Sequence, residues 1–200
     1  MQFRNDEHSF GLVAVSFHWL TALLFFAMLA LGLAMTALAL TDPLKLPLYQ
    51  LHKSIGVTIF ALMALRLGWR FRGGAPDFPA AMGGFERAAA RLSHWGLYAI
   101  LIVMPLTGWV IVSASPLGIP TILYGTVELP HIGFIAARPD KEAIERVAEQ
   151  VHAALAWTGL ALVALHAGAA LRHHLLLKDE VLRRMLPSRR HFSKNEGSMP

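Results

Sequence analysis

The residues best suited to chemistry in this sequence are histidines that lie inside long apolar segments. His152 and His166 are fourteen residues apart, in a run without charged residues between Glu149 and Arg172. Fourteen residues is close to four helical turns, so both imidazoles leave a helix on nearly the same face, roughly 21 Å apart along its axis. Gly159 lies seven residues from each histidine on that face and leaves space between them. One helix of this kind can hold two cofactors in a stack.

Three more histidines begin other apolar segments, namely His18, His52 and His94. Neutral imidazoles bind iron without adding a net charge to apolar surroundings, and two of them can ligate one haem. The sequence has no cysteine, which excludes disulfides, iron–sulfur ligation and thioether attachment of haem. Non-covalent ligation of two b-type haems by two histidine pairs is therefore the economical hypothesis. The alternative for each histidine is a polar side chain that hydrogen-bonds between helices.

The elements that carry these histidines are predicted to be membrane-spanning helices. The 200 residues are 55% hydrophobic and 16% charged, with a mean hydropathy of +0.48, whereas soluble domains carry about 25% charged residues. The sequence thus predicts an all-α integral membrane protein, with one four-helix bundle over residues 1–187 and a disordered cytoplasmic tail over 188–200. The predicted spans cover about residues 13–40, 48–69, 94–112 and 151–175.

The connections between the spans differ in length and character. Residues 71–81 are rich in Gly and Pro and predict a loop, and residues 85–93 predict a short interfacial helix before the third span. Residues 113–149 form the longest connection, and prolines break its first part. From residue 140 to 150 the charge pattern indicates a helix that leads into the fourth span.

The distribution of Lys and Arg predicts the orientation of the bundle. Thirteen of the eighteen basic residues fall on one side if that side holds the N-terminus, the region from Arg66 to residue 93, and the C-terminal tail. Cytoplasmic loops of membrane proteins carry this excess. We therefore expect a multi-pass protein with both termini in the cytoplasm. Since this distribution accounts for the net charge of +5, we expect no nucleic-acid partner.

This orientation sorts the histidines by depth into two pairs. His52 and His152 are predicted to lie near the outer surface, and His18 and His166 near the cytoplasmic surface. We expect each pair to ligate the iron of one haem. His94 remains at the inner level, as an alternative inner ligand, a quinone contact or a polar cap at the interface.

Arg66 is a further candidate for cofactor binding. It lies fourteen residues beyond His52, so it shares that helix face at the level of the inner pair. An arginine at this depth needs an anionic partner, and the apolar spans contain no Asp or Glu. A haem propionate would serve as that partner. The alternative is that the guanidinium reaches back to the membrane interface.

Five segments resemble the bacterial cytochrome b561 family: SFHWL at 16–20, LHKSIG at 51–56, LSHWGLY at 92–98, MPLTGW at 104–109 and LHAGAALRHHLLLKDEVLRRMLP at 165–187. The resemblance covers nearly the whole chain. It implies a four-helix bundle of the bacterial inner membrane with two b haems, and the family's ligand positions match His18, His52, His152 and His166. The connection over 113–149 departs from the family pattern because it is longer.

The resemblance also implies a quinone-linked electron carrier. We expect an electron to enter at the outer pair and to leave from the inner pair to a quinone, with ubiquinone as the implied substrate. The cytoplasmic side gathers polar residues at helix ends that could donate hydrogen bonds to a quinone, and His94 is the strongest candidate among them. The others are His173, Arg91 and Arg172.

The donor implied by the resemblance is periplasmic superoxide, which would make the protein a superoxide-oxidising, quinone-reducing enzyme. The predicted outer loops have a net charge of −1 and provide no general attraction for an anion, so only a local group such as Lys53 beside His52 would attract one. Two other functions stay open. The bundle could be a membrane anchor that receives electrons from a protein donor, such as a dehydrogenase or hydrogenase subunit. It could also be a transporter that uses its histidines to bind zinc or copper.

Overall fold

Four long helices dominate the computed structural model, which describes residues 3–6, 9–79 and 82–186. All four are long and apolar enough to cross a membrane by length and composition. The tail predicted over 188–200 lies outside the described residues. In chain order the elements are α1 (Leu12–Ala37), α2 (Lys45–Gly73), α3 (Gly84–Ala114), β1 (Thr121–Leu123), β2 (Val127–Leu129), α4 (Gly133–Ala136) and α5 (Lys141–Arg172), followed by a π-helical turn at His173–Leu177 and a 3₁₀ turn at Arg183–Met185.

Three helices, α2, α3 and α5, begin before the predicted spans, whereas α1 ends at Ala37, three residues before its predicted end. The prediction of a separate interfacial helix over 85–93 is wrong, because α3 runs without a break from Gly84 to Ala114. The alanines at 88–90 favour helix and no proline follows them before Pro105, so helical hydrogen bonding continues from the polar segment into the apolar one. The charged helix predicted before the fourth span is confirmed as the first part of α5.

The bundle has a small core and an apolar exterior, as expected for a protein surrounded by lipid. Ile59 and Met63 of α2 pack against Tyr98 of α3 in the centre. Leu23 and Leu165 point outward and are 68% and 69% exposed. Exposed leucines are unfavourable in water, but in a membrane they contact lipid hydrocarbon, which is as apolar as they are.

The long outer connection forms a β-hairpin that sequence reasoning did not predict. β1 and β2 pair antiparallel, and Tyr124 and Gly125 adopt positive φ in the turn between them. The hairpin lies on α2, where the Ser54 hydroxyl accepts the Tyr124 backbone N–H at 3.0 Å and Gln50 Oε1 accepts the Ile122 N–H at 3.2 Å. These α2 side chains satisfy backbone donors on the edge of β1 that would otherwise be unpaired.

Candidate cofactor-binding sites

The outer pair of histidines is brought together by α2 and α5. The ring centroids of His52 and His152 are 6.3 Å apart, and the ring planes are inclined by 60°. We call this end of the bundle the outer end and the opposite end the inner end. Two helices that are far apart in the chain thus present one imidazole each to the same space.

The inner end contains three histidines from three helices. His18 of α1 and His166 of α5 have ring centroids 6.1 Å apart and planes inclined by 57°. His94 of α3 is closer to His166 than His18 is, with a distance of 5.1 Å between the ring centroids of His94 and His166. The tertiary structure therefore brings together both predicted pairs, and it places His94 in direct contact with the inner pair.

These distances can be compared with the spacing of two axial ligands. Imidazole nitrogens lie about 2.0–2.1 Å from a first-row metal ion, so two imidazoles on opposite sides of one ion have ring centroids about 6 Å apart. The His52–His152 and His18–His166 distances match this spacing. The His94–His166 distance is about 1 Å too short for opposite positions on one ion. Within the described parts of the chain, no group of three or more His, Asp or Glu side chains is arranged around a metal position.

Glycines of neighbouring helices lie against both outer histidines. A Cβ added at Gly32 of α1 would lie 3.4 Å from Cε1 of His52, and one added at Gly108 of α3 would lie 3.6 Å from Cε1 of His152. The Nδ1 atom of His52 is buried and has no hydrogen-bond partner in the described structure. A pair of buried imidazoles, flanked by helix surfaces without side chains, fits the requirements of a flat, apolar macrocycle with an axial metal.

Arg66 lies beside the inner pair, at the depth that its spacing from His52 predicts. Its Nη2 is 2.9 Å from Nδ1 of His18, and its guanidinium lies over the Tyr98 ring, 5.3 Å from the centroid. Because a guanidinium can only donate, Nδ1 of His18 accepts this hydrogen bond and the ring proton is on Nε2. In that tautomer Nε2 has no lone pair for a metal, so ligation by His18 requires Arg66 to release it.

The space predicted at Gly159 is filled by side chains of two other helices. A Cβ added at Gly159 would meet Cε2 of Phe25 and Cγ2 of Ile100, each at 3.4 Å. The absence of a side chain on α5 therefore lets α1 and α3 approach it midway between the two histidine pairs. The aromatic ring of Phe25 occupies the level that separates the two sites.

Several polar groups at the inner end have partners from distant parts of the chain. Arg172 forms an exposed ion pair with Glu86 at 2.8 Å, which links the ends of α5 and α3. His173 is buried and its Nδ1 contacts Asp179 Oδ2 at 2.5 Å, across the π-helical turn. Burial alone would raise the pKa of Asp179, but the hydrogen bonds from His173 and from the Val181 N–H, together with the charge of Arg184, hold that pKa below its ordinary value.

Other polar atoms at this end are buried without a partner in the described structure. They are Nε1 of Trp69, Oγ of Ser93 and Nδ1 of His174. Buried donors of this kind are costly unless a ligand or water satisfies them. His94 could be singled out in the sequence because it begins a predicted span, but no pattern in the sequence marks its neighbour Ser93 or Trp69.

Known proteins resemble this chain over most of its length. A family model described as prokaryotic cytochrome b561 matches residues 9–188. Cytochrome b561 homolog 2 of Escherichia coli K12 is 33% identical over 186 residues, which are 93% of this chain and 95% of the relative. Cytochrome b561 homolog 1 of the same organism is 32% identical over 142 residues, 70% of this chain and 74% of the relative.

A third relative carries a more specific name. The probable superoxide oxidase CybB of Yersinia pestis is 30% identical over 140 residues, 70% of this chain and 75% of the relative. The resemblance predicted from the five sequence segments is thus confirmed over nearly the whole chain. This protein belongs to the prokaryotic cytochrome b561 family.

Proposed function

We propose that this protein moves electrons across the membrane between two b-type haems, one held by His52 and His152 and the other by His18 and His166. Membership of the cytochrome b561 family makes it a membrane electron-transfer protein and implies b-type haem. The observation that carries the finer assignment is the spacing of the two pairs, 6.3 Å and 6.1 Å between ring centroids. Both values suit two axial ligands of one iron.

The haems, when bound, supply one-electron redox centres whose potentials the surrounding residues tune. The histidines would hold each iron as neutral ligands, and without Cys in the sequence the attachment would be non-covalent. Arg66 would exchange its contact with His18 for a haem propionate, since no Asp or Glu of the apolar spans is available to it. His94 is left without an axial position because its distance from His166 is too short.

We further propose that the inner end faces the cytoplasm, that the membrane is the bacterial inner membrane, and that a quinone is reduced at the inner end. The excess of Lys and Arg at this end supports the orientation. The unpartnered buried atoms of Trp69, Ser93 and His174 support a polar ligand there, since hydrogen-bond donors stabilise charge that develops on quinone oxygens. Ubiquinone is the quinone we assign, and the protein then acts as a quinone-linked oxidoreductase.

Periplasmic superoxide is the donor we propose, on the strength of the relative named as a probable superoxide oxidase. Lys53 is a basic residue that follows His52 directly in α2. Its Nζ already donates to the Pro120 carbonyl at 3.2 Å, so its charge is held beside the hairpin. A positive charge fixed near the outer pair would attract an anionic donor locally, although the outer loops as a whole do not.

The deciding experiment is a reduced-minus-oxidised visible spectrum of the purified protein with haem counted per chain. We expect two haems per chain, all removed from the polypeptide by acid–acetone. The partly exposed loop residue His131 provides a control, and His131→Ala should keep both haems. A content of one or no haem would contradict the proposal, and zinc or copper without haem would favour a transporter. Copurification of a large soluble subunit would favour the membrane-anchor alternative.

A further inference from the structure

Thr107 of α3 contacts the outer ligand His152. Its Oγ1 is 2.8 Å from Nδ1 of His152 and 2.7 Å from the backbone carbonyl of Met104, one turn earlier in α3. Two such short contacts to one hydroxyl restrict where the hydrogen atoms can be. They therefore determine which ring nitrogen of the neutral His152 imidazole carries the proton.

The hydroxyl of Thr107 has one hydrogen to donate. The Met104 carbonyl can only accept, and two oxygens 2.7 Å apart without a hydrogen between them would repel each other. The hydroxyl hydrogen is consequently directed to Met104, and Oγ1 accepts the remaining contact from Nδ1–H of His152. A neutral imidazole with its proton on Nδ1 has its lone pair on Nε2, which is the tautomer that binds a metal through Nε2.

We propose that Thr107 is a positioning residue that fixes the tautomer and ring orientation of His152 for the outer haem. This inference rests on the proposed ligation of haem by His152. Metal-bound histidines usually donate their other ring N–H to an acceptor, and loss of that acceptor typically weakens metal binding about 10–100-fold. Gly108, the next residue, leaves the ring free to lie against α3.

Two of the other proposed ligands, His52 and His18, differ in this respect. Nδ1 of His52 is buried without a partner, and Nδ1 of His18 faces a guanidinium that can only donate. His152 is thus the outer ligand whose metal-binding tautomer is fixed by a described contact. An acceptor on Nδ1–H also makes the imidazole a stronger ligand, which favours ferric iron and lowers the reduction potential.

The test compares Thr107→Val, which removes the hydroxyl at nearly constant shape, with Thr107→Ser, which keeps it. Thr36→Val is the matched control. The hydroxyl of Thr36 also donates back to its own helix, at 2.9 Å to Gly32 and 3.0 Å to Leu33, but no described contact joins it to a histidine. We expect Thr107→Val to bind the outer haem about 10–100-fold more weakly, and to raise the midpoint potential of any outer haem that remains. Thr107→Ser and Thr36→Val should resemble the unmodified protein.

The inner haem of the same sample reports whether the bundle is folded. If Thr107→Val lost both haems, Thr107→Ala would take its place in the comparison with Thr107→Ser. Loss of both haems in Thr107→Ser as well would overturn the positioning role. Unchanged outer-haem affinity, potential and electron paramagnetic resonance spectrum in Thr107→Val would also overturn it. If His152→Ala kept both haems, the ligand assignment itself would fail, and that outcome is distinct from a failure at Thr107.

Discussion

At the residue scale, the inner end offers three histidines for two axial positions. The described distances favour His18 as the partner of His166, because their rings are 6.1 Å apart and those of His94 and His166 only 5.1 Å. The choice matters for function, since whichever histidine is left over is free to contact a substrate. Arg66 bears on the choice between His18 and His94 as the ligand. Its hydrogen bond to Nδ1 holds His18 in a tautomer that cannot bind iron through Nε2.

Single substitutions separate these roles. His18→Ala should remove the inner haem and leave the outer one, whereas His94→Ala should leave both, because only His18 has the spacing of an axial ligand. Haem content and the reduced-minus-oxidised spectrum measure the outcome, with His52→Ala as the control that removes the outer haem. Retention of the inner haem in His18→Ala, together with its loss in His94→Ala, would show that His94 is the ligand.

Arg66→Gln tests whether the guanidinium pairs with the inner cofactor. We expect a lower midpoint potential for the inner haem and an unchanged outer potential, because loss of a nearby positive charge favours the ferric state. Arg72→Gln is the control, since Arg72 is exposed at the end of α2. Redox titration followed in the visible spectrum measures both potentials. An inner potential that stays constant would assign Arg66 a purely structural contact with His18 and Tyr98.

At the element scale, α5 is the helix that both sites share, and α1 and α3 approach it at Gly159. The contact atoms of Phe25 and Ile100 lie 3.4 Å from the position of an added Cβ, which is ordinary van der Waals distance. Larger side chains have no room unless the helices separate. The small residue therefore sets the distance between the helices that carry the ligands.

Substitutions at Gly159 should show this dependence on size. Gly159→Ala should change thermal stability little, while Gly159→Leu should destabilise the bundle by about 1–3 kcal/mol through overpacking. Thermal unfolding in detergent, followed by circular dichroism, measures the difference. Gly168 serves as a matched control on the same helix, because nothing lies within 4 Å of its added Cβ. Equal stability of Gly159→Leu and Gly168→Leu would contradict the close approach of α1 and α3.

At the scale of the whole molecule, the two sites lie at opposite ends of a bundle that is apolar on its outside. Electron transfer along α5 would connect a donor at the outer end with an acceptor at the inner end. The hairpin on α2 covers part of the outer end. Buried polar atoms without a partner among the described residues lie at both ends: on Trp69, Ser93 and His174 at the inner end, and on His52 and Thr121 at the outer end. The proposal of quinone reduction at the inner end therefore combines the hairpin cover at the outer end with the three inner atoms.

His94→Ala tests the acceptor side. Both haem signals should remain, and reoxidation of the reduced protein by an added short-chain ubiquinone should become slower, because a polar contact to the quinone is lost. Stopped-flow spectroscopy measures the rate, and His131→Ala at the outer end is the control. Unchanged reoxidation with both haems present would remove His94 from the quinone site.

The sequence by itself determined the membrane character, the number of long helices and the grouping of histidines by depth. Apolar length and the fourteen-residue spacing of His152 and His166 are properties of one helix, so they can be read along the chain. The resemblance to the cytochrome b561 family is local too, because it rests on five short segments of the sequence.

Only the tertiary structure decided which groups touch. The distances that separate His18 from His94 as partners of His166 depend on how three helices pack. The contact of Arg66 with His18, the Phe25 ring at Gly159 and the Thr107 acceptor for His152 all join residues of different helices. A sequence pattern specifies which residues share one face of a helix, but not which atoms of a neighbouring helix contact that face. Those contacts depend on the packing angles and on the small residues between the helices.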